Sequence, residues 1–183
     1  ALLSVARVLQ LRIKPEAPVP AGQLVELARR ARRWCDEAGA ALIVNDRLDV
    51  ALAAGADGVH LGQTDLPLAE ARRIAGSLWI GVSTHDLAQV RIARDGGADY
   101  LGFGPVFTTR TKRDADPVQG LAGLSAAVVE AAGLPVVAIG GITPGDAASV
   151  HATGAAAICA ISAINDAPDV AAAARALTAR PTT

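Results

Sequence analysis

The feature that most constrains the fold of this sequence is a regular alternation between short apolar segments and longer amphipathic ones. Short apolar runs predict β-strands, and apolar residues spaced three and four apart predict helices between them. The predicted strands are Arg7–Ile13, Leu42–Val44, Gly58–Leu61, Leu78–Val82, Tyr100–Phe103, Val136–Ile139 and Ala156–Ile161. The predicted helices are Gln23–Ala38, Arg47–Ala54, Leu68–Ala75, Leu87–Asp95, Leu121–Ala131, Ala147–Ala152 and Val170–Thr178. The pattern therefore predicts seven consecutive strand–helix units.

A short glycine-containing repeat supports this division of the chain. It stands between a predicted helix and the next predicted strand at four places, Gly39-Ala40-Ala41, Gly55-Ala56-Asp57, Gly97-Ala98-Asp99 and Gly154-Ala155-Ala156. Glycine readily adopts the left-handed backbone conformation that commonly ends a helix. Each repeat therefore indicates a helix end that is followed directly by a new strand.

The nearly all-apolar strands indicate a parallel sheet that is buried on both faces, either a doubly wound sheet or a (β/α)8 TIM barrel. We favour the barrel, because no Gly-x-Gly-x-x-Gly follows the first strand and polar residues stand at the carboxyl end of nearly every strand. A length of 183 residues fits one domain, so residues 1–183 are interpreted as a single TIM-barrel domain.

The composition narrows the class of partner. The net charge is −1, with 17 basic and 18 acidic residues scattered along the chain, so we expect neither nucleic acid nor a membrane surface. Small-molecule substrates are the expected partners, and the sequence leaves open whether the protein is a homo-oligomer. The two cysteines, Cys35 and Cys159, lack the spacing of a metal site and indicate free thiols in a reducing, cytoplasmic setting. No run reaches transmembrane length, and the first residues lack the pattern of a signal peptide.

The segment Leu42–Pro67 predicts one strand–helix–strand unit with acidic residues after both strands. Parallel strands end on the same side of a sheet, so Asn45-Asp46 and the loop that carries Asp65 should emerge side by side. Two carboxylates that face one point suit Mg²⁺ bound to a substrate phosphate. The alternative is that Asp46 and Asp65 cap the helices that follow them, since an Asp side chain satisfies free N–H groups there.

The other strand ends carry cations, hydroxyls and glycines that together suit a phosphorylated, and in particular a diphosphorylated, ligand. They are Gln10, Arg12 and Lys14 on one face of the first strand, His60, Ser83-Thr84-His85, Thr109-Arg110-Thr111-Lys112, Gly140-Gly141 and Ile161-Ser162. Backbone N–H groups near Gly141 and Ser162 lie where barrels commonly hold a phosphate. Each element also has a structural alternative: a tight turn for the glycine pair, buried structural histidines, and a solvated loop at Thr109–Lys112.

Seven motifs make the sequence similar to a known family. They are QLRIK at Gln10–Lys14, NDR at Asn45–Arg47, GADGVHLGQTDLP at Gly55–Pro67, GVSTH at Gly81–His85, GFGPVFTTRTK at Gly102–Lys112, AIGGI at Ala138–Ile142 and ISAI at Ile161–Ile164. In this order they resemble the thiamine-phosphate synthase family, whose enzymes couple a pyrimidine to a thiazole in vitamin B1 synthesis. The resemblance spans about residues 5–175.

The resemblance implies a transferase that joins hydroxymethylpyrimidine diphosphate to thiazole phosphate and releases diphosphate, with Mg²⁺ as cofactor. It implies that the pyrimidine diphosphate is held by Gln10, Arg12, Lys14, Asn45 and Lys112, and that the metal is held by Asp46 and Asp65. It places Ser83 at the reacting pyrimidine, so the expected catalytic residues are Ser83, Lys112 and Arg12. The thiazole phosphate would be held by Thr109, Thr111, Gly141, Ile161 and Ser162.

The sequence also departs from the family, and two rival functions stand beside the synthase. The family begins with a further strand and helix before the QLRIK motif, so we expect a (β/α)8 barrel that lacks its first βα unit in this chain. A related thiazole tautomerase branch tends to carry histidine where Pro105 stands and to lose the diphosphate-binding residues. The synthase is therefore favoured by Pro105 together with Gln10, Arg12, Lys14 and Asp65. The other rival is a non-catalytic phosphate-binding barrel, which only an activity measurement separates.

Overall fold

The structure, a computed structural model, describes residues 1–13, 19–109 and 117–179 of the chain. Its strands are β1 (Val8–Leu11), β2 (Ala41–Asn45), β3 (Gly58–Leu61), β4 (Trp79–Thr84), β5 (Tyr100–Phe103), β6 (Val136–Ile139) and β7 (Ala157–Cys159). Its α-helices are α1 (Ala21–Ala38), α2 (Leu48–Ala54), α3 (Leu68–Ile74), α4 (Leu87–Asp95), α5 (Gly120–Glu130), α6 (Ala147–Ala152), α7 (Ser162–Asn165) and α8 (Val170–Thr178). Short 3-10 turns occupy Leu2–Ser4 and Pro144–Asp146.

The seven strands form one parallel sheet in the order β1-β2-β3-β4-β5-β6-β7. When consecutive parallel strands are neighbours and every crossover is right-handed, the connecting helices all lie on one face of the sheet. The result is a curled half-barrel with β1 and β7 at its edges, so the predicted strand–helix alternation is confirmed. A closed eight-stranded barrel is not seen within the described part of the chain.

Two details differ from the prediction at the end of the sheet. The last strand was predicted as Ala156–Ile161, but β7 ends at Cys159, and Ile161 has φ −113° and ψ −75°. Backbone with this ψ cannot continue a strand, and it leads into the short helix α7, which was not predicted. The four glycines that were predicted to end helices all have positive φ, from 63° at Gly39 to 90° at Gly154, as predicted.

The two faces of the sheet carry different residues because side chains alternate along each strand. On the face towards the helices, Leu42, Val59, Ile80 and Leu101 of neighbouring strands are each 0% exposed. They pack in one apolar core with helix residues such as Ala28, Ala51, Ala71, Val90 and Leu124. Full burial of side chains like these contributes about 1.5–3 kcal/mol each, so this layer stabilises the fold. Because side chains alternate, most polar residues of the strands lie on the opposite, concave face.

The length and apolarity of the helices decide whether any of them could cross a membrane. Among the residues that the structure describes, no helix is both long enough and apolar enough to cross a membrane.

Candidate functional site

The concave face of the sheet carries polar residues that the register of the strands brings into rows. In parallel strands, paired residues point to the same face, and Asn45, His60, Gly81 and Tyr100 are successive partners across β2, β3, β4 and β5. Alternation places further polar residues on this face, namely Gln10 on β1 and Ser83 on β4. Three of the predicted ligand-binding residues, Gln10, Asn45 and Ser83, therefore share one face.

Arg12 directly follows the edge strand β1. Burial raises the pKa of the Cys159 thiol in β7, and the positive charge of Arg12 partly opposes that rise. The charge of Arg12, which follows the edge strand β1, therefore reaches Cys159 in the other edge strand, β7.

His60 lies at the centre of the concave face and joins two other polar side chains. Its Nε2 lies 2.9 Å from Ser83 Oγ, and its Nδ1 lies 3.0 Å from the Tyr100 hydroxyl. The side chain is 9% exposed, and burial lowers the pKa of His60 to about 4, although the nearby negative charge of Asp65 opposes the change. The imidazole is therefore neutral near pH 7, and burial also raises the pKa of the Tyr100 hydroxyl.

Two glycines on adjacent strands make room for these rings. A Cβ atom on Gly81 would overlap the Tyr100 ring, and one on Gly102 would lie 3.0 Å from Cε1 of His60. The ring centroids of His60 and Tyr100 are 5.5 Å apart. His60 is a buried histidine whose two ring nitrogens both have hydrogen-bond partners, which agrees with the structural interpretation of the histidines. One of these partners, however, is the predicted catalytic residue Ser83.

Asp46 directly follows β2 in an uncommon backbone conformation. Its φ is 64°, in the left-handed region that disfavours most residues other than glycine, asparagine and aspartate. The Asp46 N–H donates to the His60 carbonyl at 2.8 Å, so the β2–β3 pairing continues to the point where the acid emerges. Helix α2 has Arg47 as its N-cap residue, without a side-chain cap. Asp46 thus does not occupy the N-cap position of this helix.

Asp65 lies in the loop between β3 and α3. Its Oδ2 accepts a hydrogen bond from the Gly62 N–H at 2.7 Å, and its charge acts on His60. The N-cap residue of α3 is Pro67, again without a side-chain cap. The carboxylate is therefore held against the end of β3 and does not occupy the N-cap position of the next helix.

The oxygen atoms of Asp46 and Asp65 are hard ligands of the type that Mg²⁺ prefers. No group of three or more His, Cys, Asp and Glu residues within the described ranges could by itself hold a metal ion. A site with two carboxylates fits Mg²⁺ bound mainly through substrate phosphate oxygens and water, and it does not fit a structural metal with a complete protein cage.

A second part of the site is an open cleft of about 660 Å³ between the ends of β5, β6 and β7. It is lined by Thr108, Thr109, Gly141, Ile142, Thr143, Ser162, Ala163 and Asp166. Its volume is in the range of small-molecule pockets. Thr109, Gly141 and Ser162, which were all predicted to bind one phosphate, thus line a common space. The fourth described residue of that prediction, Ile161, directly precedes Ser162 in the chain.

The glycine pair Gly140-Gly141 lets two loops approach each other beside this cleft. Their φ angles are 100° and 67°, and a Cβ on Gly141 would lie 2.8 Å from the Phe107 carbonyl oxygen. The N–H of Val106 donates to the Ile139 carbonyl and that of Phe107 to the Gly140 carbonyl, each at 2.9 Å. These contacts hold the chain after β5 against the end of β6, so the pair does more than turn the chain.

The structure also shows residues that the sequence analysis did not identify. Tyr100 on the concave face and Thr108, Thr143 and Asp166 in the cleft were not predicted. For Tyr100 the available signal was a glycine in the neighbouring strand, Gly81, whose missing Cβ leaves room for the ring. The predicted residues Lys14, Thr111 and Lys112 lie outside the described residues.

His85 at the end of β4 has a structural contact. One of its ring nitrogens, Nδ1, lies 2.5 Å from the Gly104 carbonyl oxygen. Since a carbonyl oxygen can only accept, this nitrogen carries the hydrogen. His85 therefore anchors the chain where it leaves β5.

Comparison with known proteins gives consistent similarities. The family model described as thiamine monophosphate synthase matches residues 1–164. The chain is 50% identical over 178 residues to the thiamine-phosphate synthase of Moorella thermoacetica, a match that covers 97% of this chain and 83% of that protein. It is 54% identical over 172 residues to the thiamine biosynthesis bifunctional protein ThiM/ThiE of Symbiobacterium thermophilum, covering 93% of this chain and 35% of that longer protein. The solved thiamine phosphate pyrophosphorylase of Pyrococcus furiosus superposes with a TM-score of 0.88 at 42% identity, covering 96% of this chain and 83% of that one.

Proposed function

The chain belongs to the thiamine monophosphate synthase family, and on that premise we propose that it couples hydroxymethylpyrimidine diphosphate to thiazole phosphate, giving thiamine phosphate and diphosphate. In this reaction the bond between the pyrimidine methylene carbon and the diphosphate oxygen breaks, and the diphosphate leaves with the electron pair. The methylene carbon then bonds to the thiazole nitrogen. No oxidant and no net proton transfer are needed.

The observation that carries this proposal is the division of the site into two parts at one end of the sheet. The concave face offers Gln10, Asn45 and Ser83, and Arg12 directly follows β1; together these residues suit a polar ring with an attached diphosphate. The neighbouring cleft offers hydroxyl and backbone groups that suit a phosphate, with Thr109, Gly141 and Ser162 among its lining residues. Two adjacent subsites are what a reaction between two phosphorylated substrates requires.

We assign the diphosphate to the side of the site that contains Arg12. A guanidinium can bind two phosphate oxygens through parallel N–H donors, and it stabilises negative charge that grows on the leaving group. Lys14 and Lys112 would add point charges on the basis of the sequence. Asn45, at the end of β2, would hold the substrate beside Asp46.

We assign a Mg²⁺ ion to Asp46 and Asp65. When bound, the ion would neutralise part of the diphosphate charge as the bond to carbon breaks. The protein's own contribution is to hold the two carboxylates at adjacent strand ends. The Asp46 N–H bond to the His60 carbonyl and the Gly62 N–H bond to the Asp65 carboxylate provide that positioning.

We further propose that the curled sheet belongs to a (β/α)8 barrel. Its seven strands run parallel in sequential order, and the charge of Arg12 beside one edge strand, β1, acts on Cys159 in the other edge strand, β7. An eighth strand between these edges would satisfy their free backbone groups and close the concave site.

The proposal is tested by the rate of diphosphate release from the purified protein. Release should require both substrates and Mg²⁺, and it should stop when EDTA is added and resume when Mg²⁺ is restored in excess. Release from the pyrimidine diphosphate at the same rate without the thiazole phosphate would indicate a hydrolase and overturn the proposed coupling. Full activity in EDTA would leave the coupling and remove the metal assignment.

A further inference from the structure

We propose that Tyr100 and His60 are positioning residues that hold the Ser83 hydroxyl as a hydrogen-bond donor towards the pyrimidine diphosphate. This inference rests on the proposed function for the identity of the substrate. The arrangement of the three side chains can be tested independently of catalysis. None of the sequence motifs assigned a role to Tyr100, and His60 was only one of several polar residues at a strand end.

The three side chains form one continuous chain of hydrogen bonds across β5, β3 and β4. The Tyr100 hydroxyl is 3.0 Å from His60 Nδ1, and His60 Nε2 is 2.9 Å from Ser83 Oγ. The backbone of Ser83 is held as well, because its carbonyl oxygen accepts from Gln63 Nε2 at 2.5 Å. Gly81 and Gly102 provide the space for both rings, so the arrangement is built into the strands and does not depend on a mobile loop.

A count of hydrogens assigns the direction of these bonds. A neutral imidazole has one N–H and one lone pair, and a tyrosine hydroxyl has one hydrogen to donate. Within the described part of the chain, the hydrogen-bond partner of the Tyr100 hydroxyl is His60 Nδ1. Tyr100 is half-buried, and its hydroxyl is best satisfied by donating to the ring nitrogen beside it, so Tyr100 donates to Nδ1 and the imidazole hydrogen resides on Nε2.

The opposite tautomer would leave the Tyr100 hydrogen without a good acceptor. The other two groups whose charges act on Tyr100 are Cys159 and Asp99. A cysteine sulfur is a weak acceptor. The Asp99 carboxylate is already engaged by the Ile80 N–H at 2.7 Å and by Arg72 at 2.6 Å. His60 Nδ1 is therefore the best acceptor for the hydrogen of the Tyr100 hydroxyl.

The assigned direction determines what Ser83 offers to a ligand. With the hydrogen on Nε2, the imidazole donates to Ser83 Oγ, and the hydrogen of Ser83 stays available for another acceptor. Ring nitrogens and diphosphate oxygens of the pyrimidine substrate are acceptors of this kind. In the opposite tautomer Ser83 would donate to Nε2 and could only accept from the ligand. Tyr100 and His60 therefore determine whether the Ser83 hydroxyl donates a hydrogen bond to the ligand or can only accept one.

The first test is the tautomer of His60 in the ligand-free protein, measured by ¹⁵N NMR of the histidine rings. The chain has three histidines, so comparison with His60→Gln identifies the His60 signals. The proposal requires the hydrogen on Nε2, and a hydrogen on Nδ1 would overturn it. This outcome does not depend on whether the protein is a synthase.

The second test is a double-mutant cycle on the coupling reaction. Tyr100→Phe should lower kcat/KM by about threefold to tenfold, the effect of one lost hydrogen bond, with the far-UV circular dichroism unchanged and the melting temperature lowered by only a few degrees, because His60 Nδ1 loses its partner. In a Ser83→Ala background the same Tyr100→Phe change should have no further effect, because Tyr100 acts through Ser83. Equal effects in both backgrounds would show that Tyr100 is merely structural and would overturn the proposal.

The third test compares two amide replacements of His60. The glutamine amide of His60→Gln can reach the position of Nε2 and donate to Ser83, whereas the shorter side chain of His60→Asn can replace only the contact with Tyr100. Glutamine should therefore retain several times more kcat/KM than asparagine at equal thermal stability. Equal activities of the two variants would contradict the inference. If the wild-type protein does not couple the substrates at all, the proposed function fails, and the NMR result still decides the positioning arrangement.

Discussion

The guanidinium of Arg72 in α3 lies 2.6 Å from the carboxylate of Asp99, which directly precedes β5. The same carboxylate oxygen accepts from the N–H of Ile80 in β4 at 2.7 Å. One repeat earlier, Asp57 accepts from Arg32 of α1 and from the Leu42 N–H in the same way. The two Gly-Ala-Asp repeats therefore bind a helix and two strands at the amino-terminal end of the sheet, opposite the site.

We predict that Asp99→Ala lowers the free energy of unfolding by about 1–3 kcal/mol, because it leaves the N–H of the fully buried Ile80 without its acceptor. The ion pair itself contributes less, since both side chains are partly exposed. Urea denaturation monitored by circular dichroism measures the change.

The matched control for Asp99→Ala is Glu70→Ala. Within the described part of the chain, Glu70 pairs with Arg73 alone, at 3.0 Å on the exposed surface of α3, so its loss should change stability by less than about 0.5 kcal/mol. The folded Asp99→Ala protein should keep its wild-type kcat, because the Asp99 carboxylate binds Arg72 and Ile80, neither of which is assigned to a substrate. Similar destabilisation by the two variants would contradict the role assigned to the Asp99–Ile80 bond.

The second prediction concerns the acidic pair and uses the backbone of Asp46. Since φ is 64° at this position, Asp46→Ala would add backbone strain to the loss of charge, whereas Asp46→Asn keeps a residue that tolerates this conformation. Asp46→Asn should lower turnover by at least about a hundredfold, because one of the two proposed Mg²⁺ ligands is lost, and leave the melting temperature within about 2 °C.

Asp65→Asn completes this comparison. The asparagine oxygen can still accept from the Gly62 N–H, so the loop should be retained while the charge is lost. Calorimetric titration with Mg²⁺ in the presence of diphosphate should show weaker binding for both asparagine variants. Normal turnover with a lowered melting temperature would mean that the acids are structural.

The third prediction concerns the cleft next to β6. Gly141→Ala places a Cβ close to the backbone of the segment after β5 at a φ of 67°, so it should displace Thr108 and Thr109. The KM for the thiazole phosphate should rise by about tenfold or more, as expected when a phosphate-binding contact is lost, while the KM for the pyrimidine diphosphate changes little. Steady-state kinetics with each substrate varied in turn separates the two constants.

Gly145→Ala is the control for this substitution. Its Cβ would meet only Thr143 Oγ, at an ordinary distance of 3.7 Å, and Gly145 has no positive φ. The variant should have wild-type kinetics for both substrates. An equal rise of both KM values in Gly141→Ala would show a general loss of structure and contradict the assignment of the cleft to one substrate.

Much of the fold could be predicted from the sequence, because the relevant signals are local. Apolar runs indicated all seven strands, and glycines marked the helix ends at Gly39, Gly55, Gly97 and Gly154. The position of the acids Asp46 and Asp65 followed from the rule that parallel strands end on the same side. The short helix α7 was missed because Ser162–Asn165 makes one turn only and shows no periodicity.

The contact between Tyr100 and His60 could not be predicted by such local reasoning. The two residues are 40 positions apart, and their meeting depends on the register of β3, β4 and β5. Residue alternation indicates which side chains share a face, but it does not determine which of them are at the same height. The lining of the cleft by Thr143 and Asp166 likewise depends on how three loops pack together.

The central claim, that this chain is a synthase, is tested most directly by the products formed from both substrates and Mg²⁺. If the chain is a synthase, one thiamine phosphate should form for each diphosphate released, and thiazole carboxylate phosphate should not isomerise when it is supplied alone. Pro105 stands where the tautomerase branch tends to carry histidine, and a proline side chain cannot transfer a proton. Rapid isomerisation of the thiazole, with no diphosphate released when the pyrimidine diphosphate is added, would contradict the account.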